Sequence, residues 1–443
     1  MNPSEVVKSP NQAQGAPHAT LGLLSPFRSL WLAIVGYEQW PAVLVLPLLV
    51  ATIVLRLLWV NLPQGSLIFD ESYYVNAARI MLGWPVPEGS AYAGSQPGVD
   101  PNFGHMPLAK VMMVQSMRFL GDNGLGWRLP SVLTGTLSVG LLYLLVRRIT
   151  GRPWLALFAA FIFSFDNLVF VHGRIATLDM PMVAFALLGV YAYVARSPAI
   201  AGGALALSAL AKFNGVFVLL AIVGFEVLRF LLIAESRSKW RSTLGNLLLL
   251  CGVCTVVFIM VLWPLDYLYT NYKSPLDHLA ADVFAGLSLR NPGPPQGIAS
   301  MPWQWLMNEG AIPYLTVKVD MIANGAVVCT ASNVKFLGQM NLFVITMLPL
   351  ALGYLLHAAF AKRSELAMLA LCLMGVTYGQ PFILAVFFHR ISYIHYFLPV
   401  LPALCFGFAY FLLDSRLPRL VPVVYSIAVL AGFVALFPFR TIP

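Results

Sequence analysis

The chain has little charge. Asp, Glu, Lys and Arg make up 10% of its 443 residues, where a soluble domain carries about 25%. That shortage excludes an ordinary soluble enzyme. A hydrophobic content of 59%, arranged in apolar runs of about 20 residues, predicts a polytopic membrane protein. Cysteine is sparse too. Of Cys251, Cys254, Cys329, Cys372 and Cys405, only Cys329 falls in a polar stretch, so no disulfide framework is expected. Cys251 and Cys254 form a CxxC inside "LLLLCGVCTVVFIMVLW". Small residues on a buried helix face explain it better than metal or redox chemistry. A glycine-rich phosphate loop is lacking, which argues against nucleotide chemistry. No run interleaves bases with aromatics, so the +9 balance reads as basic cytoplasmic loops rather than nucleic-acid affinity. Nor does a basic start precede a short apolar core and cleavage site, so no signal peptide is expected.

What is present is a series of spans. Apolar runs predict about eleven transmembrane helices in an all-α protein, near 41–60, 128–146, 153–171, 180–195, 199–212, 215–233, 244–263, 337–357, 365–388, 391–413 and 420–437. Residues 1–40 read as a polar cytoplasmic tail and an interfacial segment, and 41–443 as one transmembrane domain. Short loops carrying Arg147, Arg148 and Arg152, then Arg196, then Arg237, Lys239 and Arg241, then Lys362 and Arg363, then Arg416 and Arg419 alternate with the spans. They mark the cytoplasmic side, with the C-terminus outside. Two long loops, 61–127 and 265–336, then lie outside. Within the first, "MPLAKVMMVQSMRFLG" (106–121) has helical apolar spacing, with Lys110, Gln115 and Arg118 opposite, and predicts a surface helix.

The unusual polar residues fall on that same outer side. They are the adjacent Asp70 and Glu71, His105, Lys110, Arg128, His172, Arg174, Asp179, Lys212, His389, Arg390, Tyr393 and His395. Ionisable groups near a membrane are costly and tend to line cavities. Cations suit a phosphate, and a carboxylate can take a proton from an attacking hydroxyl. A cleft at the headgroup level that binds a lipid phosphate fits this mixture. Plainer readings exist for single residues. Arg174 and Asp179 could pair, Lys212 could snorkel, the histidines could be structural, and Tyr73 and Tyr74 could be interfacial aromatics.

Several segments, in order, resemble the protein O-mannosyltransferases: "FDE" (69–71), "HMPLAK" (105–110), "WRLPSVLTG" (127–135), "FDNLVFVHGRIATLDMP" (165–181), "KFNG" (212–215) and "YIHYFLPVLP" (393–402). The resemblance implies the type C glycosyltransferase fold in its bacterial-like form, without a β-trefoil domain, at a bacterial plasma membrane. It implies inverting transfer of mannose from polyprenyl-phosphate-mannose to Ser or Thr hydroxyls of an acceptor protein. Asp70 and Glu71 would be catalytic. Arg128, Arg174 and Lys212 would hold the donor phosphate. His105, Lys110, Asp179, Arg390, Tyr393 and His395 would support them. No cofactor is implied, no metal ligand set is committed, and dependence on a divalent metal and a dimeric state are left open. The chain departs from the family's pattern at Met106, Gly173, Phe213 and the stretch "PEGSAYAGSQPGVDPNFG" (87–104). The nearest rival is a polyprenyl-phosphate-sugar transferase that moves another sugar, such as aminoarabinose or a hexose, to a lipid or a glycan; lipid A aminoarabinose transferases share the Asp-Glu motif but typically show Lys-Pro-Pro-Leu where this chain has "HMPLAK". A secondary transporter fits less well, because its polar groups would sit at mid-membrane within repeated halves.

Overall fold

A computed structural model describes residues 40–323, 326–415 and 417–437. The predicted tail and the interfacial segment at 22–37 lie outside the described residues. Helices dominate: α1 (Trp40–Leu57), α2 (Glu71–Met81), α3 (Leu108–Leu120), α4 (Gly124–Thr150), α5 (Pro153–Ser164), α6 (Asn167–His172), α7 (Asp179–Val194), α8 (Pro198–Ala211), α9 (Phe217–Leu232), α10 (Trp240–Tyr269), α11 (Pro275–Ser288), α12 (Leu348–Phe360), α13 (Glu365–Phe388), α14 (Leu401–Asp414) and α15 (Leu420–Leu436). Among the described residues, seven helices are long and apolar enough to cross a membrane, and α5, α7, α8 and α15 are shorter apolar helices. The chain is an integral membrane protein. Each predicted run meets one of these elements, with changes of boundary; the tenth, 391–413, becomes α-helical only at Leu401. The third run stops at Ser164 because Asp166 begins a new helix, its carboxylate accepting from the amide of Val169 at 3.1 Å. The eighth starts late because its first residues belong to a strand.

That strand is the main departure from an all-helical chain. β1 (Ile312–Ala323) and β2 (Ala326–Gly338) form an antiparallel hairpin with Ile312 opposite Gly338. A side chain at 338 would collide with the ring of Tyr314. Glycine there lets the hairpin base fold flat and carries Tyr314 inward.

α4 has 27 residues, a length of about 40 Å, with Arg128 at one end and Arg147 and Arg148 at the other. The far end is tied by Asp414, which meets Arg152 at 2.7 Å and Lys362 at 3.0 Å. At the near end the two long loops pack on each other. The amide of Asp100 donates to the carbonyl of Tyr269 at 2.7 Å, and the second loop is also tied to the link after α13, the amide of Ser300 donating to the carbonyl of Ser392 at 2.9 Å. α3 confirms the surface helix only in part. Gln115 and Arg118 are exposed, but Lys110 is fully buried.

Two departures from the family's pattern have structural reasons. Met106 is buried against Leu210 and Leu262, joining loop, α8 and α10. Gly173 sits against Arg56, whose guanidinium fills the space a side chain would take. Arg56 itself is buried, over the ring of Phe170 at 5.5 Å, so it has little room to retreat. Gly173→Ala is therefore expected to destabilise the protein by about 1–3 kcal/mol, the scale of overpacking. Gly203→Ala, into open space, should leave the thermal unfolding midpoint in detergent unchanged. Equal midpoints for the two variants would refute the packing explanation.

Candidate active site

The acidic pair at the start of α2 divides into two unlike carboxylates. Glu71 is fully buried and accepts from four donors: the amide of Ile68 at 2.7 Å, the amide of Ala176 at 2.8 Å, and Arg128 Nε and Nη2, each at 2.8 Å. Arg128 also donates through Nη1 to the carbonyls of Val60 and Leu62, at 2.5 and 3.2 Å, and through Nη2 to that of Ser66 at 3.3 Å. Its guanidinium is a planar fork whose donors are all directed at protein. The expectation that Arg128 holds a phosphate does not fit this geometry. Nor does direct chemistry by Glu71, which locks the first loop, α4 and the turn before α7 together.

Asp70 faces the other way. Among the described residues its carboxyl makes no hydrogen bond, either to cap α2 or to any side chain. The preceding Phe69 is held at φ +54°, a conformation that non-glycine residues adopt at a cost and that is common at functional sites. Stacking of the Phe69 ring on Tyr314, with centroids 4.0 Å apart, and an edge contact to His395 at 5.7 Å secure it. Burial pushes the Asp70 carboxyl up to about 7, against the pull of Lys212 and with a further push from Asp179. A carboxyl with that value is poised to take a proton near neutral pH.

Asp179, at the start of α7, meets Lys212 Nζ at 2.7 Å, and its other oxygen lies 3.4 Å from His172 Nδ1. His172 Nε2 reaches the Tyr314 hydroxyl at 2.8 Å. The plainer reading in which Asp179 pairs with Arg174 does not hold, since Lys212 and His172 are its partners. The intervening turn sends Arg174 away, to donate to the carbonyl of Leu58 and lie over the Phe336 ring at 5.6 Å. Arg174 is fully buried and lines neither of the cavities on this side of the protein, so its expected phosphate role has no support in its position.

A cavity of about 420 Å³ opens beside this group, lined by His105, Lys212, Asp282, Arg390, Tyr92 and Tyr396 among others. Lys212 and Arg390 lie over Tyr396, at 5.3 and 5.9 Å from the ring centroid. Arg390 makes no ion pair among the described residues, and its Nη1 is buried without a hydrogen-bond partner. His389, in a left-handed conformation at φ +52°, ends α13 and turns the next residue inward. Burial, with the nearby charges of Lys110, Lys212 and Arg390, pushes His105 down to about 3. It is neutral at physiological pH. Tyr393 stacks on His395 at 5.6 Å, and both rings meet Tyr396 edge-on, forming a wall. Lys110 is not in the cavity. It ties the loop by a 2.5 Å ion pair to Asp100 and by donating to the carbonyls of Asn102 and His105.

Sequence reading missed Tyr92, Tyr314 and Asp282. Burial pushes the Asp282 carboxyl up to about 6. A carboxylate in an otherwise apolar helical stretch of the second loop, "LAADVFAGLS", was a signal that could have found it. Among the described residues, no three His, Cys, Asp or Glu side chains are grouped as a metal site.

A family model described as dolichyl-phosphate-mannose-protein mannosyltransferase matches residues 104–263. A polyprenol-phosphate-mannose–protein mannosyltransferase of Mycolicibacterium smegmatis is 32% identical over 127 residues, which is 28% of this chain and 22% of the relative. One of Corynebacterium glutamicum is 29% identical over 126 residues, 28% of this chain and 23% of the relative. The matched stretch thus spans less than a quarter of the length of these curated relatives. The fold likeness is broader. The S. cerevisiae protein O-mannosyltransferase Pmt1-Pmt2 complex bound to the sugar donor superposes with a TM-score of 0.64 at 13% identity, covering 90% of each chain. ArnT from Cupriavidus metallidurans bound to undecaprenyl phosphate gives 0.55 at 18% identity, covering 89% of this chain and 63% of that one. The resemblance read from the motifs is borne out, and the fold is that of the type C glycosyltransferases.

The two carboxylates should respond differently to loss of charge. Glu71→Gln is expected to lower stability by about 3–5 kcal/mol, the cost of breaking a buried ion pair. Asp70→Asn should leave the unfolding midpoint near that of the parent chain. Equal loss in both variants would contradict the division of roles.

Proposed function

We propose that this chain moves mannose from a polyprenyl-phosphate-mannose donor to a Ser or Thr hydroxyl of a protein, with inversion, at the extracytoplasmic face of a bacterial plasma membrane. The observation that carries this reading is Asp70, a carboxyl raised to about 7 that makes no hydrogen bond among the described residues and lies within electrostatic reach of Lys212, which lines a cavity with Arg390, whose Nη1 has no hydrogen-bond partner among those residues. The partial sequence match to mannosyl transferases supports the sugar and the acceptor class.

In the proposed step the acceptor oxygen attacks the anomeric carbon as the bond from that carbon to the phosphate oxygen breaks. The hydroxyl proton passes to Asp70. The electron pair of the broken bond stays on the departing polyprenyl phosphate. One displacement converts a β-linked donor into an α-linked product. Arg390 is the main cation for the growing phosphate charge, with Lys212 assisting while Asp179 holds it. Fixed cations aimed at developing charge are usually a large part of catalysis. His105, kept neutral, contributes a hydrogen bond rather than charge. Glu71 and Arg128 are positioning residues, and His172, Tyr314 and His395 frame the base.

Asp70→Asn should reduce transfer at least about 100-fold, the scale for losing a general base, with donor binding retained. In the parent chain the rate should fall as pH drops through about 7, because the base must be ionised. An unchanged rate in the variant, or a flat acidic limb, would remove Asp70 from this role. Arg390→Ala should weaken binding of polyprenyl phosphate at least tenfold, about 1.4 kcal/mol, measured by titration in detergent. Unaltered affinity in a folded variant would reassign the phosphate. Label from radioactive donor that enters lipid or glycan rather than peptide would favour an aminoarabinose-transferase-like reading.

A further inference from the structure

The stretch at 87–104 departs from the family's pattern, and the reaction proposed above leaves most of it unused. It builds a second cavity of about 440 Å³, lined by Tyr92, Gln96, Val99, Pro101, Phe103 and, from the second loop, Asn271 and Tyr272 among others. The two cavities share Tyr92 and Pro101 in their walls. Tyr92 has a left-handed backbone, φ +66°, and its hydroxyl accepts from Asn102 Nδ2 at 2.6 Å. It is close enough to Asp70 for the two to interact electrostatically. Tyr92 thus stands in the wall between the two cavities, within electrostatic reach of the candidate base.

The chemistry of the walls narrows the occupant. Phe103 is 53% exposed and meets Tyr272 edge-on at 6.1 Å, so aromatic surface is presented rather than stored. The carboxylate of Asp100 is engaged by Lys110, and no Lys or Arg lines the cavity. A phosphate or an anionic lipid finds no counter-charge there. Neutral amides (Gln96, Asn271) beside aromatic rings and a proline match an extended polypeptide. Its backbone pairs with amides, and its prolines or small side chains lie on the rings, as in aromatic grooves that take polyproline-type segments.

We propose that the second cavity is an acceptor subsite, built by residues 92–103, for an extended, proline-containing polypeptide segment beside the hydroxyl to be modified. This rests on the protein-acceptor reading above.

The test uses the full chain in nanodiscs and a synthetic Thr/Pro peptide. Peptide binding is read by fluorescence anisotropy without donor, and transfer is read separately. The double variant Phe103→Ala with Asn271→Ala should weaken peptide binding and raise peptide KM about tenfold. Its kcat should stay within about twofold and its affinity for polyprenyl phosphate should be unchanged. A peptide carrying a benzophenone next to its Thr should cross-link within 92–103 in the parent chain and not in the variant. Unchanged peptide binding and KM would overturn the subsite, as would a matching loss of polyprenyl phosphate affinity. So would competition by a neutral oligosaccharide but not by a proline-rich peptide. Peptide binding and cross-linking without transfer would support the subsite and sink the catalytic reading instead.

Discussion

The bidentate contact between Glu71 and Arg128 holds the candidate site in register. Its carboxylate also accepts the amides of Ile68 and Ala176, so one buried group fixes the first outer loop, the start of α4 and the turn leading to α7. Removing two charges from water is expensive, and the pair is tolerable only because nearly every donor and acceptor on it is satisfied. Rigidity is what it supplies. Asp70 immediately precedes Glu71 in the chain, and its position relative to Lys212, just past the end of α8, depends on that anchored corner.

Much of this was legible in the sequence. Apolar runs gave the helices, and the one-sided polar residues gave the end of the bundle where the site lies. Asp70, His105, Lys212, Arg390, Tyr393 and His395 do gather there. What failed were inferences from nearness in sequence. Asp70 and Glu71 are neighbours, but a helix turns about 100° per residue, so Glu71 is buried against Arg128 while Asp70 is left partly exposed. Arg174 and Asp179 are five apart, yet the turn between them reverses, and Lys212, distant in sequence, becomes the partner. Lys110 has the spacing of a surface residue, but Asp100 draws it inward. The hairpin was missed because "TVKVDMIANGAVVCTASN" was left within the outer loop at 265–336. Its alternation and its Asn-Gly dipeptide are hairpin signals.

The cations of the site are graded rather than equivalent. Arg128 is wholly engaged by the frame. Lys212 is shared between Asp179 and the Tyr396 ring. Arg390 has a buried nitrogen still without a partner. Counting positive residues on one side of the membrane could not separate these states, because the difference lies in which acceptors the fold brings within reach. Gly173 makes a similar point. It departs from the family's pattern because Arg56 occupies the volume that a larger residue would need.

The setting of Asp70 has a further consequence. Tyr314 and His395 clamp the Phe69 ring, so the residue before the base is fixed, and Asp70 itself is only partly exposed. In the proposed reaction water competes with the acceptor hydroxyl, and a carboxyl raised by burial is, once ionised, a better base toward both. Its acidity therefore cannot tell the two nucleophiles apart. Sparing of the activated lipid from hydrolysis would then fall to whatever covers Asp70 while the donor is bound.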